Sequence, residues 1–99
     1  MMRLRIARAA RSDLVGIWTF IAQDNPSRAD TLLDELCETF QMLAENPEIG
    51  RRQDALRAGI RSFPKGNYNV FYTLSDEVEE LEVVRVLSGC RDIDKLFED

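Results

Sequence analysis

The stretch Leu81-Glu82-Val83-Val84-Arg85-Val86-Leu87 constrains this chain most. Five of its seven residues are aliphatic and three are β-branched, a composition that suits a central β-strand and crowds a helix. Period-two alternation puts Arg85 on the face of Val83 and Leu87, with Val84 and Val86 on the other. Both faces are then largely apolar. A small sheet covered by helices on one side shows a polar outer face, so a second apolar face is a reason to expect a partner.

The rest of the chain supplies what such a strand needs. Arg3 to Ala7 alternates charged and apolar residues and reads as a short strand with Leu4 and Ile6 inward. Leu14, Ile17, Trp18 and Ile21 recur at helical spacing behind a candidate cap at Ser12, with Ala9 and Ala10 as an earlier start. Trp18, inside that stripe, reads as a core anchor. Asp24-Asn25-Pro26 ends this helix and begins another, Asn25 as cap and proline at the first helical position. Ala29, Leu32, Leu33, Leu36, Phe40 and Leu43 form the second stripe, and the short joint makes the helices antiparallel neighbours. Cys37 flanks the stripe as a small core or boundary residue.

Residues 47–59 mix proline, glycine and charge and read as a loop with a helical turn near Asp54 to Arg57. Short and longer strands follow at Ile60 to Phe63 and Tyr68 to Leu74, with a turn at Pro64 to Asn67. Leu81 to Leu87 pairs back on the longer one as a meander. A short helix fits Asp92 to Phe97. The order β-α-α-β-β-β implies an α+β, two-layer fold, a helical hairpin on one face of a mostly antiparallel sheet. At 99 residues the chain is expected to be one domain.

Composition excludes several classes. There is no histidine, which removes His-based triads, Cys/His zinc sites and the commonest general base. No acidic spacing resembles a calcium loop, so neither metal nor cofactor is expected. Cys37 and Cys90 read as reduced thiols of a cytoplasmic protein. No apolar run reaches the roughly 20 residues of a membrane span, and no signal peptide opens the sequence. The net charge of −5 argues against a broad nucleic-acid surface. Acids gather at Asp24, Asp30, Asp34, Glu35, Glu38, Glu45 and Glu48, and bases at Arg51, Arg52, Arg57, Arg61 and Lys65. The surface is electrostatically two-sided.

Several pieces in this order carry a family likeness: Asp13-Leu14 with Ile17-Trp18, Asn46-Pro47-x-x-Gly50-Arg51, and Gly59-x-Arg61-Ser62. Tyr68-x-Val70-Phe71-Tyr72 and Val84-Arg85-Val86-Leu87-x-Gly89-x-Arg91-Asp92 complete it. Together, across nearly the whole chain, they resemble the ParE/RelE superfamily of bacterial type II toxins, most closely its ParE branch. That resemblance implies a toxin that stabilises the cleaved-DNA complex of DNA gyrase. It also implies a cognate antitoxin whose C-terminal segment wraps the toxin in a hetero-oligomer, so that DNA is met only indirectly. The RelE branch shares the fold and cleaves mRNA on the ribosome; a diverged antitoxin-binding module that has lost toxicity is the third reading.

The residues weigh on this choice. An RNase must activate a 2′-hydroxyl, stabilise phosphate charge and protonate a leaving oxygen. Arg61, Arg85 and Arg91 suit the second task, and they are the catalytic candidates if the chain is a nuclease. RelE-like enzymes carry a tyrosine or histidine near the C-terminus, and the tail CRDIDKLFED has neither. Ser88 stands where ParE relatives commonly have a histidine. Tyr68 and Tyr72 read first as sheet-packing aromatics. These features favour a binding protein over an enzyme. The expected partner-binding set is Arg61, Tyr72, Val83, Arg85, Leu87, Arg91, Leu96 and Phe97, apolar contacts with arginines placed for acidic groups.

Overall fold

The computed structural model describes residues 1–89. The element order is β1 (Arg3–Ile6), α1 (Arg8–Ala22), α2 (Pro26–Glu45), β2 (Arg51–Arg52), β3 (Arg61–Lys65), β4 (Tyr68–Ser75) and β5 (Glu80–Ser88). The five strands form one sheet in the order β1-β5-β4-β3-β2. β2 to β5 make an antiparallel meander, and β1 closes the far side parallel to β5. The expected α+β, two-layer fold is present, with one strand more than the sequence pattern indicates. β2 has two residues, both exposed arginines, and so carries no alternation to read. The helix expected over 92–97 lies outside the described residues.

The core sits between the helical hairpin and one face of the sheet. Ala10, Leu32, Leu36, Phe40 and Leu43 from the helices meet Val70, Tyr72, Leu81, Val83 and Val86 from the two central strands. Each large aliphatic or aromatic side chain removed from water here contributes roughly 1.5–3 kcal/mol. α2 starts as its sequence demands: Asn25 Oδ1 accepts the Arg28 N–H at 3.0 Å, and proline occupies the first turn. α1 starts at Arg8, a turn before Ser12, with no side-chain cap. The β1 chain runs straight into it, the Ala7 N–H donating to Val83 O and the Arg11 N–H to Ala7 O, so sheet pairing sets the start.

Strict alternation along β5 fails at one point. Phe71 pairs with Arg85 while Tyr72 pairs with Val83, so Val84 has no counterpart on β4. This bulge puts Val83 and Val86 on the same core face and brings the Arg85 guanidinium to α1. There Arg85 Nε and Nη2 donate to Asp13 Oδ2 and Oδ1 at 2.7 and 2.9 Å. Asp13 Oδ2 also accepts the Val86 N–H at 3.0 Å. The Arg85 and Asp13 side chains are 25% and 14% exposed, and the hydrogen bonds from Asp13 raise the guanidinium's pKa above its ordinary value.

A second tie holds the chain between α2 and β2. Tyr72, fully buried, accepts the Gly50 N–H at 2.8 Å and donates to Pro47 O at 2.9 Å. Burial pushes its phenol pKa up, opposed by the Gly50 hydrogen bond. A Cβ on Gly50 would run into the Tyr72 hydroxyl and ring, so glycine is required there for space.

Asp13→Ala leaves Arg85 half-buried without its carboxylate and Val86 without an acceptor. A loss of about 2–4 kcal/mol in urea unfolding is expected, and a loss below about 0.5 kcal/mol would show the clamp to be idle. Gly50→Ala is expected to destabilise by about 1–3 kcal/mol through overpacking, measured in the same titration. Tyr72→Ala in the Gly50→Ala background should cost less than Tyr72→Ala alone, because removing the ring relieves the clash that the new methyl creates.

Candidate functional site

The structure separates the sequence-derived partner set. Val83 and Tyr72 are fully buried, so the expectation that they face a partner is corrected: the bulge and the meander register turn both onto the helix layer. Arg85, expected as an open cation, is also corrected, since Asp13 holds it bidentately. Arg61 is half-buried and its Nη1 donates to Glu48 O at 3.0 Å and Gly50 O at 2.9 Å, clipping the turn before β2. Leu87 is half-buried opposite Asn69. Arg91, Leu96 and Phe97 lie outside the described residues. Thus Arg85 has its Nε and Nη2 committed to Asp13 and Arg61 its Nη1 to two carbonyl oxygens, which leaves each with fewer donors for a phosphate.

The sheet face away from the helices is mixed. By register it carries Arg5, Glu82, Thr73, Asn69 and Ser62 as well as Phe71, and Phe71 is only 2% exposed. The basic edge is partly self-neutralised. Arg52 Nε sits 3.0 Å from Asp54 Oδ2 and the Gly59 N–H donates to Asp54 Oδ1 at 2.9 Å; the Gly59 bond first, then Arg52, lowers the Asp54 carboxyl's pKa. Among the described residues no cluster of three or more His, Cys, Asp or Glu side chains is placed to hold a metal. No described helix is long and apolar enough to cross a membrane.

Sequence periodicity misses a more conspicuous surface on the outer side of the helical hairpin. Val15 is 66% exposed, Phe20 72% and Trp18 37%. Leu14, Val15 and Trp18 of α1 and Leu33 and Cys37 of α2 line a groove of about 300 Å³. Trp18 is therefore no core anchor: Leu14, Ile17 and Ile21 take the core side, while the indole N–H donates to Asp30 Oδ1 at 2.8 Å and fixes the ring at the surface. Cys37 is exposed. Gly16 faces open space, so nothing within the chain calls for glycine in mid-helix, where it costs about 1 kcal/mol against alanine. The signal was legible as an absence: from Ser12 to Gln23 the one charged residue is Asp13, and Arg85 neutralises it. Phe20, two positions on from Trp18, stands on the other flank of α1; Val15 and Trp18 beside the groove are exposed apolar side chains grouped as at an interaction surface.

The comparisons agree with this architecture. Residues 4–93 match the family model of the ParE toxin of the type II toxin-antitoxin system, parDE. Toxin ParE1 of Caulobacter vibrioides is 38% identical over 88 residues, 88% of each chain. Among solved structures, the chromosomal ParDE toxin-antitoxin system from P. aeruginosa superposes with a TM-score of 0.73 at 20% identity, over 91% of this chain and 98% of that one. The isolated E. coli RelE toxin superposes at 0.64 and 16% identity, over 93% and 88%; these two likenesses speak to the fold. With the family model spanning nearly all of β1 to β5 and a curated relative matching along the same length, the chain belongs to the ParE toxin family of type II toxin-antitoxin systems.

Proposed function

We propose that this toxin acts by binding rather than by catalysis: it inhibits DNA gyrase by stabilising the cleaved-DNA complex, in the cytoplasm, and is held silent by a cognate antitoxin. The family match over residues 4–93 carries the reading. The geometry supports it, because Arg61 and Arg85 are occupied by carbonyl oxygens and by Asp13, and the exposed surface is apolar where a protein partner would bury it. The antitoxin covers the α1–α2 groove around Val15, Trp18 and Leu33; a helix laid along it would place apolar anchors at three- and four-residue spacing.

The RelE-like reading, ribosome-dependent mRNA cleavage, draws on the shared fold with E. coli RelE. A supercoiling assay with purified toxin separates the two. Inhibition of gyrase with accumulation of linear plasmid is expected, and mRNA from expressing cells should show no new 5′ ends. Intact gyrase activity together with new cuts within codons would replace the proposal with the nuclease. Growth without arrest on induction would point to a toxin inactivated by divergence, Ser88 being the first suspect.

The antitoxin surface is tested separately. The double change Val15→Asp with Leu33→Asp should weaken antitoxin binding 10- to 100-fold, the scale expected when apolar anchors are removed from an interface. Val78→Asp, an exposed apolar position in the β4–β5 turn, should change it less than threefold. Similar losses for both would disperse the proposed surface.

A further inference from the structure

A second concavity lies at the other end of the hairpin, where its tip meets the β3–β4 turn. Ile21 closes it from α1, Arg28, Leu32 and Glu35 line it from one face of α2, and Lys65, Gly66, Asn67 and Tyr68 form the opposite wall. Its volume is about 530 Å³. Lys65 and Tyr68 are directly paired across the turn, both half-buried. Neither the Lys65 ammonium nor the Tyr68 hydroxyl has a partner among the described residues. Arg28 Nη1 stands 3.7 Å from Glu35 Oε1, beyond hydrogen-bond length and loose enough to be exchanged.

We propose that this cleft docks an acidic peptide segment of a protein partner. An aliphatic side chain of the segment lies on Ile21 and Leu32, and one carboxylate of the same segment meets Lys65, Arg28 and the Tyr68 hydroxyl. The charges favour this occupant over a phosphate or a nucleotide. Two cations and Glu35 leave one net positive charge, which matches a single carboxylate, and Glu35 repels a dianion. The aliphatic floor suits a leucine-like side chain, where a base would seek an aromatic platform. On a chain of net charge −5, two cations converging from different elements, Lys65 half-buried and Arg28 exposed at the rim, make a locally inverted field that selects an anion. Half-burial of Lys65 strengthens its charge-assisted hydrogen bond relative to one in open water.

The cleft lies apart from the gyrase question, and its test uses neither gyrase nor antitoxin. The full chain, labelled with 15N, is titrated with the capped pentapeptide Leu-Ala-Ala-Leu-Glu, with its Gln counterpart, with adenosine monophosphate and with inorganic phosphate. The acidic peptide should shift the amide resonances of Ile21, Arg28, Lys65 and Tyr68 saturably, with a Kd on the order of 1 mM. The Gln peptide should bind at least fivefold more weakly, and Lys65→Gln should lower affinity for the acidic peptide by the same factor while leaving the melting temperature unchanged. Equal binding of both peptides, or no saturable shift at these residues, overturns the proposal. Tighter binding of the monophosphate than of the acidic peptide would instead make the cleft a phosphate site.

Discussion

The fold depends on one carboxylate. β1 ends at Ile6 while β5 continues to Ser88, so the far half of β5 loses its neighbour on that side. Asp13 takes the place of the missing strand. It accepts the Val86 N–H that a longer β1 would have paired, and it holds Arg85 by two further hydrogen bonds. A buried strand edge without acceptors is costly, and so is a half-buried guanidinium without an anion. One side chain, one turn into α1, settles both. Because it sits on a helix, it also fixes how the hairpin lies on the sheet.

The same interaction explains why an arginine inside a hydrophobic strand misled the sequence reading. Alternation assigns Arg85 to the face of Val83 and leaves it unpaired, an apparent invitation to an acidic partner. One unmatched residue, Val84, changes the answer, and bulges leave no mark in hydrophobic periodicity. Other features were legible because they are local. The Asn25-Pro26 start of α2, the two strands β4 and β5 and the inward stripe of Ala29, Leu32, Leu36, Phe40 and Leu43 follow from capping and spacing, whereas Leu33, expected in that stripe, lines the outer groove. The parallel placement of β1 and the hydrogen bonds of Tyr72 to Gly50 and Pro47 were not legible, since both depend on contacts distant in sequence. Trp18 was assigned to the core by spacing alone; its place at the surface is set by Asp30 on the neighbouring helix.

These displacements move the functional weight from the sheet to the hairpin. Arginines that look like ligands for phosphate or carboxylate hold the molecule together, and Val15 and Trp18 of α1 border an apolar groove shared with α2. The acidic outer side of α2, with Asp30, Asp34 and Glu38 exposed beside the groove, sets this face apart from the cleft at the hairpin tip, where cations converge. The groove and the cleft at the hairpin tip thus differ in chemistry. One protein partner can satisfy both only by crossing from one end of the hairpin to the other, as a wrapping segment would; two partners can occupy them separately.

The central claim is that the outer face of the hairpin, anchored by Trp18, is where a protein partner binds. Trp18 is the sole tryptophan of the chain, so toxin labelled with 5-fluorotryptophan gives a single 19F resonance that reports this position alone. On addition of unlabelled cognate antitoxin the account predicts that this resonance shifts and loses its sensitivity to solvent H2O/D2O exchange as the indole is covered. An antitoxin that forms a stable complex while the Trp18 resonance keeps its position and its solvent sensitivity would contradict it.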